Sequence, residues 1–178
     1  MTMWAHFERL DDNELPLPTY ATECSAGLDL MACLTRACTL IREDGIKEDF
    51  YNRDTGGRCN AKPNNINAPK LILAPHETVM MPFGFKCEFS KRYVMQLHIR
   101  SSLGLRGLML ANSVGIVDPD YRGEIKAILY NRTNNPIIID HGMKTTQAVF
   151  MPYVNVIVDE REVDVTSRGE GGFGSTGS

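Results

Sequence analysis

The sequence predicts an all-β fold, an antiparallel sandwich, barrel or jelly roll, and two observations carry that expectation. Short runs rich in β-branched and aromatic residues recur along the chain, separated by clusters of Gly, Pro, Asn and Asp that suit tight turns. Apolar residues at the spacing of an amphipathic helix are hard to find. Candidate strands run from Met3 to Leu10, Leu28 to Ala32, Thr78 to Phe89, Tyr93 to Ile99, Glu124 to Tyr130, Pro136 to Asp140, Thr146 to Phe150 and Tyr153 to Val158. Many short strands with turns between them belong to the layered and closed all-β architectures.

The 178 residues suffice for one hydrophobic core, and nothing in the composition asks for a second. A formal net charge of -3 and a pI near 5.8 give no general attraction to nucleic acid, which needs a basic face. Stable nucleic-acid binding is therefore not expected, and a small anionic ligand must be held locally. The longest apolar stretches, such as 148 to 158, are interrupted by Pro152 and Asn155 and are too short to span a bilayer. Met1 to Leu10 lacks a basic segment followed by an apolar run, so an intracellular rather than secreted protein is expected. Cys24, Cys33, Cys38, Cys59 and Cys87 are odd in number and show no C-x-x-C pair, which suggests reduced thiols rather than a disulfide framework or a zinc site.

Two segments depart from the strand pattern. Residues 33–69 carry charges, Gly56-Gly57 and an Asn/Pro-rich run from Asn60 to Pro69, and read as a surface excursion. Ile41 to Phe50 could add a helical turn or two, and loops of this length are uncommon and often functional. Residues 167–178 hold five glycines and one large apolar side chain, Phe173, too little to order alone. The expected organisation is a β domain over 1–166, with a surface insertion at 33–69, and a Gly-rich arm over 167–178.

Four constellations could carry chemistry. In Arg168-Gly-Glu-Gly-Gly-Phe-Gly-Ser-Thr-Gly177 a guanidinium, permissive glycines and the hydroxyls of Ser175 and Thr176 suit a phosphate clamp, and Phe173 could stack on a base. Such a tail taken alone is more often a linker. Asn112 to Glu124 runs an apolar segment into an Asp-Pro turn, for which a hairpin is the natural shape. Its Asp118 is either a turn residue bonding its own backbone or a general base polarising a water beside an electrophilic phosphorus. Arg100-Ser101-Ser102-Leu103-Gly104 again combines guanidinium, hydroxyls and amides, a weak signal when taken singly. Asp29, among apolar neighbours in Ala26-Gly-Leu-Asp-Leu30, either faces solvent or is buried and must be paired or used near a metal.

Taken in order, these segments resemble the five motifs of the trimeric dUTPase family. Leu17 to Thr22 and Ala26 to Ala32 resemble the N-terminal strand and first motif, and Arg100 to Gly104 the second. Gly115-Ile-Val-Asp-Pro-Asp-Tyr-Arg-Gly123 resembles the third, Gly142-Met-Lys-Thr-Thr-Gln147 the fourth, and Arg168 to Gly177 the fifth. The resemblance spans nearly the whole chain apart from 33–69, and viral and cellular enzymes share these motifs.

What it implies is a jelly-roll-like β-barrel homotrimer, with sites between subunits and each C-terminal arm closing over a neighbour's site. The implied reaction is hydrolysis of dUTP to dUMP and pyrophosphate, which limits uracil incorporation into DNA and supplies dUMP. A β-hairpin around Asn112 to Asp118 would receive uracil through Asn112 and backbone groups including Gly115. Tyr121 would lie under the deoxyribose with no room for a 2′-OH, and Phe173 would cover the base. Asp118 would activate water for attack on the α-phosphorus. Arg100, Ser101, Ser102, Gln147, Arg168, Gly174, Ser175 and Thr176 would contact the phosphates. Mg²⁺ would be held mainly by the triphosphate, with Asp29 reaching it through water.

Two departures stand out. Met143-Lys144 keeps the fourth motif's cation and loses its acid, and residues 33–69 are longer than the family's usual connection. That insertion is a candidate protein-docking element, and deletion of 36 to 66 is expected to leave catalysis measurable. Two alternatives remain at this point. A dCTP deaminase of the same fold resembles its relatives in a glutamate three residues before a strand Asn, where this chain has Ile128 before Asn131. A nucleotide-dependent binding module would have no need of Asp118.

Overall fold

A computed structural model describes residues 3–10, 13–41, 45, 47–50 and 70–172, with 48–50 known from their backbone. Cys59, Phe173, Gly174, Ser175 and Thr176 lie outside the described residues, as does most of 42–69. Among the described residues fourteen strands and one short helix follow in order: β1 Ala5–Arg9, β2 Thr19–Tyr20, β3 Leu28–Met31, β4 Cys38–Ile41, β5 Lys47–Phe50, β6 Lys70–Leu73, β7 Thr78–Pro82, β8 Phe85–Phe89, β9 Tyr93–Ile99, α1 Ser101–Leu105, β10 Leu108–Leu110, β11 Gly115–Val117, β12 Lys126–Asn131, β13 Ile137–Asp140 and β14 Lys144–Pro152. The all-β class holds.

Alternation decides which side of each strand is buried. Met95 and Leu97 of β9, Ala127 and Leu129 of β12, and Phe85, Cys87 and Phe89 of β8 point inward, with their neighbours turned outward or half-buried. All of these but Phe85 join Leu30, Leu71, Leu73, Val79, Met81 and Leu108 in one cluster drawing on both large sheets.

Those sheets are five-stranded and antiparallel, in the orders β10-β12-β7-β4-β5 and β11-β9-β14-β3-β2, and two-stranded pairs β1-β8 and β13-β6 complete the fold. The expected jelly-roll-like barrel is not what forms. Each five-stranded sheet stays open, ending on β10 and β5 in one case and on β11 and β2 in the other. The physical cause lies in the connections, which carry the chain from one sheet to another instead of extending a ladder around a circle. The run from Thr78 to Phe89, expected as one strand, breaks at Gly84 (φ +73°), so that β7 stays with β12 and β8 leaves to pair with β1. The hairpin expected within 112–124 is likewise absent as a ladder: β10 pairs with β12, β11 with β9.

Three further expectations change. Residues 33–41 are core rather than surface, since Cys33, Leu34, Cys38 and Leu40 are buried and β4 lies between β7 and β5. Ile41 to Phe50 begins and ends in paired strands, Cys38↔Phe50 through Ile41↔Lys47, not in helix. Tyr153 to Val158, expected as a strand, joins no ladder among the described residues and is tied by Tyr153 N–H to Arg92 O at 3.3 Å. Among the described residues no helix is long and apolar enough to cross a membrane. Of the cysteines described, all are free, with Cys24 exposed and Cys33, Cys38 and Cys87 buried.

Candidate active site

A cavity of about 270 Å³ opens where β11, the edge of one large sheet, meets β7 and β12 of the other. Asn112, Gly115, Asp118 and Tyr121 line it, against an apolar floor of Met80, Leu97, Ile125 and Ile128. Local backbone chemistry places each of the four. Val114 N–H donates to Asn112 O at 2.6 Å across Ser113, whose φ of +62° makes this a tight three-residue turn. A non-glycine residue held there costs about 1–3 kcal/mol, which the surrounding packing must offset. Gly115 faces Leu97 across the β11–β9 ladder, and a Cβ there would come within 2.9 Å of Leu97 Cβ. Only glycine lets the two strands approach this closely. Asp118 is exposed, and its carbonyl accepts Tyr121 N–H at 3.1 Å, closing the Asp-Pro turn. Tyr121 is half exposed, with its hydroxyl donating to Glu124 O at 3.2 Å.

A second group lies further along the same sheet. From Leu97 in the cavity wall to Arg100 is three residues, roughly 10 Å in an extended strand. Arg100 precedes α1, its N–H donating to Thr145 O at 3.2 Å, and Ser101 and Ser102 are exposed on the first turn, where amides have no intrahelical acceptor. Asp29 on β3 and Gln147 on β14 are direct partners in register, and Gln147 also faces His98 of β9.

Asp29 is not turned to solvent. Its carboxylate is fully buried, with Lys144 Nζ 2.9 Å from Oδ2 and Arg100 Nε 3.5 Å from Oδ1. Both cations are within ion-pair range, yet neither oxygen accepts a well-directed hydrogen bond from the protein. A buried carboxylate is tolerated only with such counter-charges, and the half-exposed Arg100 and Lys144 keep their outer sides available to an anion. Among the described residues no three His, Cys, Asp or Glu side chains gather as a metal cage. The carboxylate is of the hard oxygen type that Mg²⁺ prefers, but both of its oxygens are buried and already ion-paired with Lys144 and Arg100.

Arg168 does not line the cavity; it is exposed, with Nε donating to Gly171 O at 2.7 Å within its own turn. Lys144, Glu124 and Lys126 belong to these surroundings although sequence reasoning did not single them out as site residues. Lys144 is the cation that the fourth motif keeps where Met143 stands in place of its acid, and Glu124 directly follows the Tyr121-Arg122-Gly123 turn. At the position where a deaminase would hold its proton-carrying glutamate, Ile128 lines the cavity and offers no such group.

Comparison with known proteins fits this geometry. The dUTPase family model matches residues 66–177. The deoxyuridine 5'-triphosphate nucleotidohydrolase of Tolumonas auensis is 36% identical over 170 residues, covering 93% of this chain and 89% of its own. That of Hahella chejuensis is 37% identical over 171 residues, covering 93% and 90%. Among solved structures, the dUTPase of Streptococcus mutans superposes with a TM-score of 0.61 at 25% identity, over 85% of this chain and 98% of its own. Staphylococcus bacteriophage 80alpha dUTPase with dUpNHpp reaches 0.68 at 18% identity, over 98% and 99%, a likeness of fold. These matches make the class of protein an all-β nucleotide hydrolase. The chain belongs to the dUTPase family and is an enzyme that hydrolyses dUTP to dUMP and pyrophosphate. Family membership also implies use of Mg²⁺.

Proposed function

We propose that the cavity between the two large sheets takes the deoxyuridine and that Asp118 activates the attacking water. The observation that carries this reading is the convergence of Asn112, Gly115, Asp118 and Tyr121 on one cavity with an apolar floor. Asn112 and the backbone beside Gly115 present donors and acceptors suited to a uracil edge, whereas cytosine's reversed pattern would leave them unpaired. Tyr121 supplies a platform for the sugar. Asp118, exposed at the cavity's rim, polarises a water for in-line attack on the α-phosphorus, and pyrophosphate leaves.

Arg100, Ser101, Ser102 and Gln147 bind the triphosphate, with Lys144 adding charge through its place beside Asp29. Asp29 would hold a water of Mg²⁺ carried on the phosphates. Bound there, the metal would neutralise charge on the leaving pyrophosphate. Arg168, Phe173, Gly174, Ser175 and Thr176 belong to an arm, 167–178, that closes a site on a β domain of 1–166.

The same reading makes the protein a homotrimer whose arms reach a neighbour. What supports it is the segment before the arm: Val154, Val156, Ile157, Val158, Val163 and Val165 are each more than 80% exposed. Exposed apolar side chains grouped in this way, Val154 to Val158 above all, mark an interaction surface.

Replacing Asp118 by Asn tests the assignment. The variant is expected to bind a non-hydrolysable dUTP analogue within about threefold of the parent, by calorimetry, and to lose about 10²–10⁴ in kcat. Turnover at the parental rate would remove Asp118 from the mechanism.

A further inference from the structure

Glu124 acts in two directions. Its carbonyl accepts the Tyr121 hydroxyl at 3.2 Å, while its side chain, only 12% exposed, turns back into the protein. There Oε1 meets Arg36 Nε at 2.5 Å and accepts Gly84 N–H at 3.2 Å, and Lys126 Nζ stands 3.6 Å from Oε2. Both groups on Oε1 are themselves fixed. Gly84 O accepts from Asn13 Nδ2 at 2.7 Å, and Arg36 N–H donates to Cys33 O at 3.2 Å while Cys33 N–H donates to Pro82 O at 2.9 Å. On the next residue, Ile125 N–H donates to Phe85 O at 2.8 Å. The carbonyl under the tyrosine hydroxyl is therefore anchored through its own side chain and through the following amide.

The ring has little freedom on its other side. It lies against Gly123 so closely that a Cβ there would be 2.3 Å from Tyr121 Oη and 2.4 Å from Cζ. Where Gly123 and Glu124 sit, the ring sits. We infer that Arg36 and Glu124 are positioning residues for sugar discrimination: their ion pair fixes the height of Tyr121 in the cavity, and so whether a 2′-hydroxyl fits above it. The inference rests on the reading of Tyr121 as the sugar platform. Without Arg36, Lys126 is the remaining cation near the Glu124 carboxylate among the described residues, and a side chain drawn toward it releases one of the two anchors on the carbonyl beneath the ring. A close-fitting pocket separates substrates differing by one small group by about 10- to 200-fold, so a small displacement of the ring erases much of that margin.

The test compares kcat/KM for dUTP and UTP, and Kd for dUMP and UMP by calorimetry, in the parent, Arg36→Gln, Arg36→Lys, Glu124→Gln and Tyr121→Ala. Arg36→Gln and Glu124→Gln are expected to lower both deoxy-to-ribo ratios about tenfold, and Arg36→Gln to leave kcat for dUTP within about threefold. Arg36→Lys, which keeps the charge, is expected to restore most of the discrimination and serves as the folded reference should Arg36→Gln misfold. Unchanged ratios in the two Gln variants, alongside relaxed ratios in Tyr121→Ala, would overturn the positioning role and leave the sugar platform standing. Unchanged ratios in Tyr121→Ala would overturn both.

Discussion

His141 and Cys87 are titratable side chains that the fold holds away from their ordinary behaviour, and in opposite directions along the pH scale. Burial pushes the His141 imidazole below its usual 6.5, partly opposed by Glu14, and its Nδ1 accepts Leu34 N–H at 3.0 Å, a bond that a proton on that nitrogen would abolish. The unfolded chain thus takes up this proton more readily than the native one, so stability is present above about pH 6.5 and is lost as pH falls below it. Burial drives the Cys87 thiol up from 9.0 to about 12, with Arg122 opposing less strongly. The native state here keeps a proton that the unfolded chain releases, so this contribution is intact below about pH 9 and is lost as pH rises toward 12. Urea midpoints are expected to plateau between those limits and fall on either side. His141→Gln is expected to flatten the acid limb and Cys87→Ala the alkaline one; limbs of unaltered slope in both variants would show that other groups govern the profile.

At the scale of elements, β4 decides how residues 33–69 can be treated. Excising 36–66, which the sequence alone presents as tolerable, removes both β4 and β5 from one end of a five-stranded sheet, together with buried Cys38, Thr39 and Leu40 and the Arg36 partner of Glu124. Losing one buried leucine side chain costs about 2–5 kcal/mol, against a total stability of about 5–15 kcal/mol for a typical domain. The deletion is expected to abolish folding, seen as loss of the cooperative urea transition, whereas an excision beginning beyond Phe50 spares β4 and β5. A folded, active 36–66 deletion would mean that β4 is replaceable. The sequence hid β4 because Cys38-Thr39-Leu40-Ile41 is a four-residue run set among charges and ahead of a Gly- and Asn-rich tract, where composition outweighs local pattern. It displayed β9 plainly, since Tyr93 to Ile99 alternates over seven residues. It merged β7 with β8 because one glycine, Gly84, carries the break. It could not show α1, whose five residues span little more than one turn and leave no periodicity to read. In the site, the Asp-Pro turn and its tyrosine were legible as local chemistry. The closure of Lys144 and Arg100 on Asp29 depends on β14 and β9 meeting beside β3, a pairing that local pattern does not specify.

For the whole molecule, the segment 153–165 poses a packing problem that one chain does not solve. Its run Tyr-Val-Asn-Val-Ile-Val reads as a strand because its side chains would suit a pleated surface, yet Val154, Val156 and Val158 lie exposed and no ladder receives them among the described residues. A segment of this kind would satisfy both its backbone and its apolar side chains by adding to a surface of another chain. Two truncations separate that task from the arm's role in catalysis. Ending the chain after Thr166 removes only the Gly-rich arm, and the protein is expected to keep the parent's sedimentation coefficient while pyrophosphate release from dUTP falls by at least a hundredfold, the scale of losing a positioned group. Ending it after Pro152 also removes the apolar strip, and sedimentation velocity is expected to show dissociation into smaller species. A Pro152 truncation that sediments as the parent does would place the subunit contacts elsewhere on the sheets and leave the exposed strip without its assigned partner.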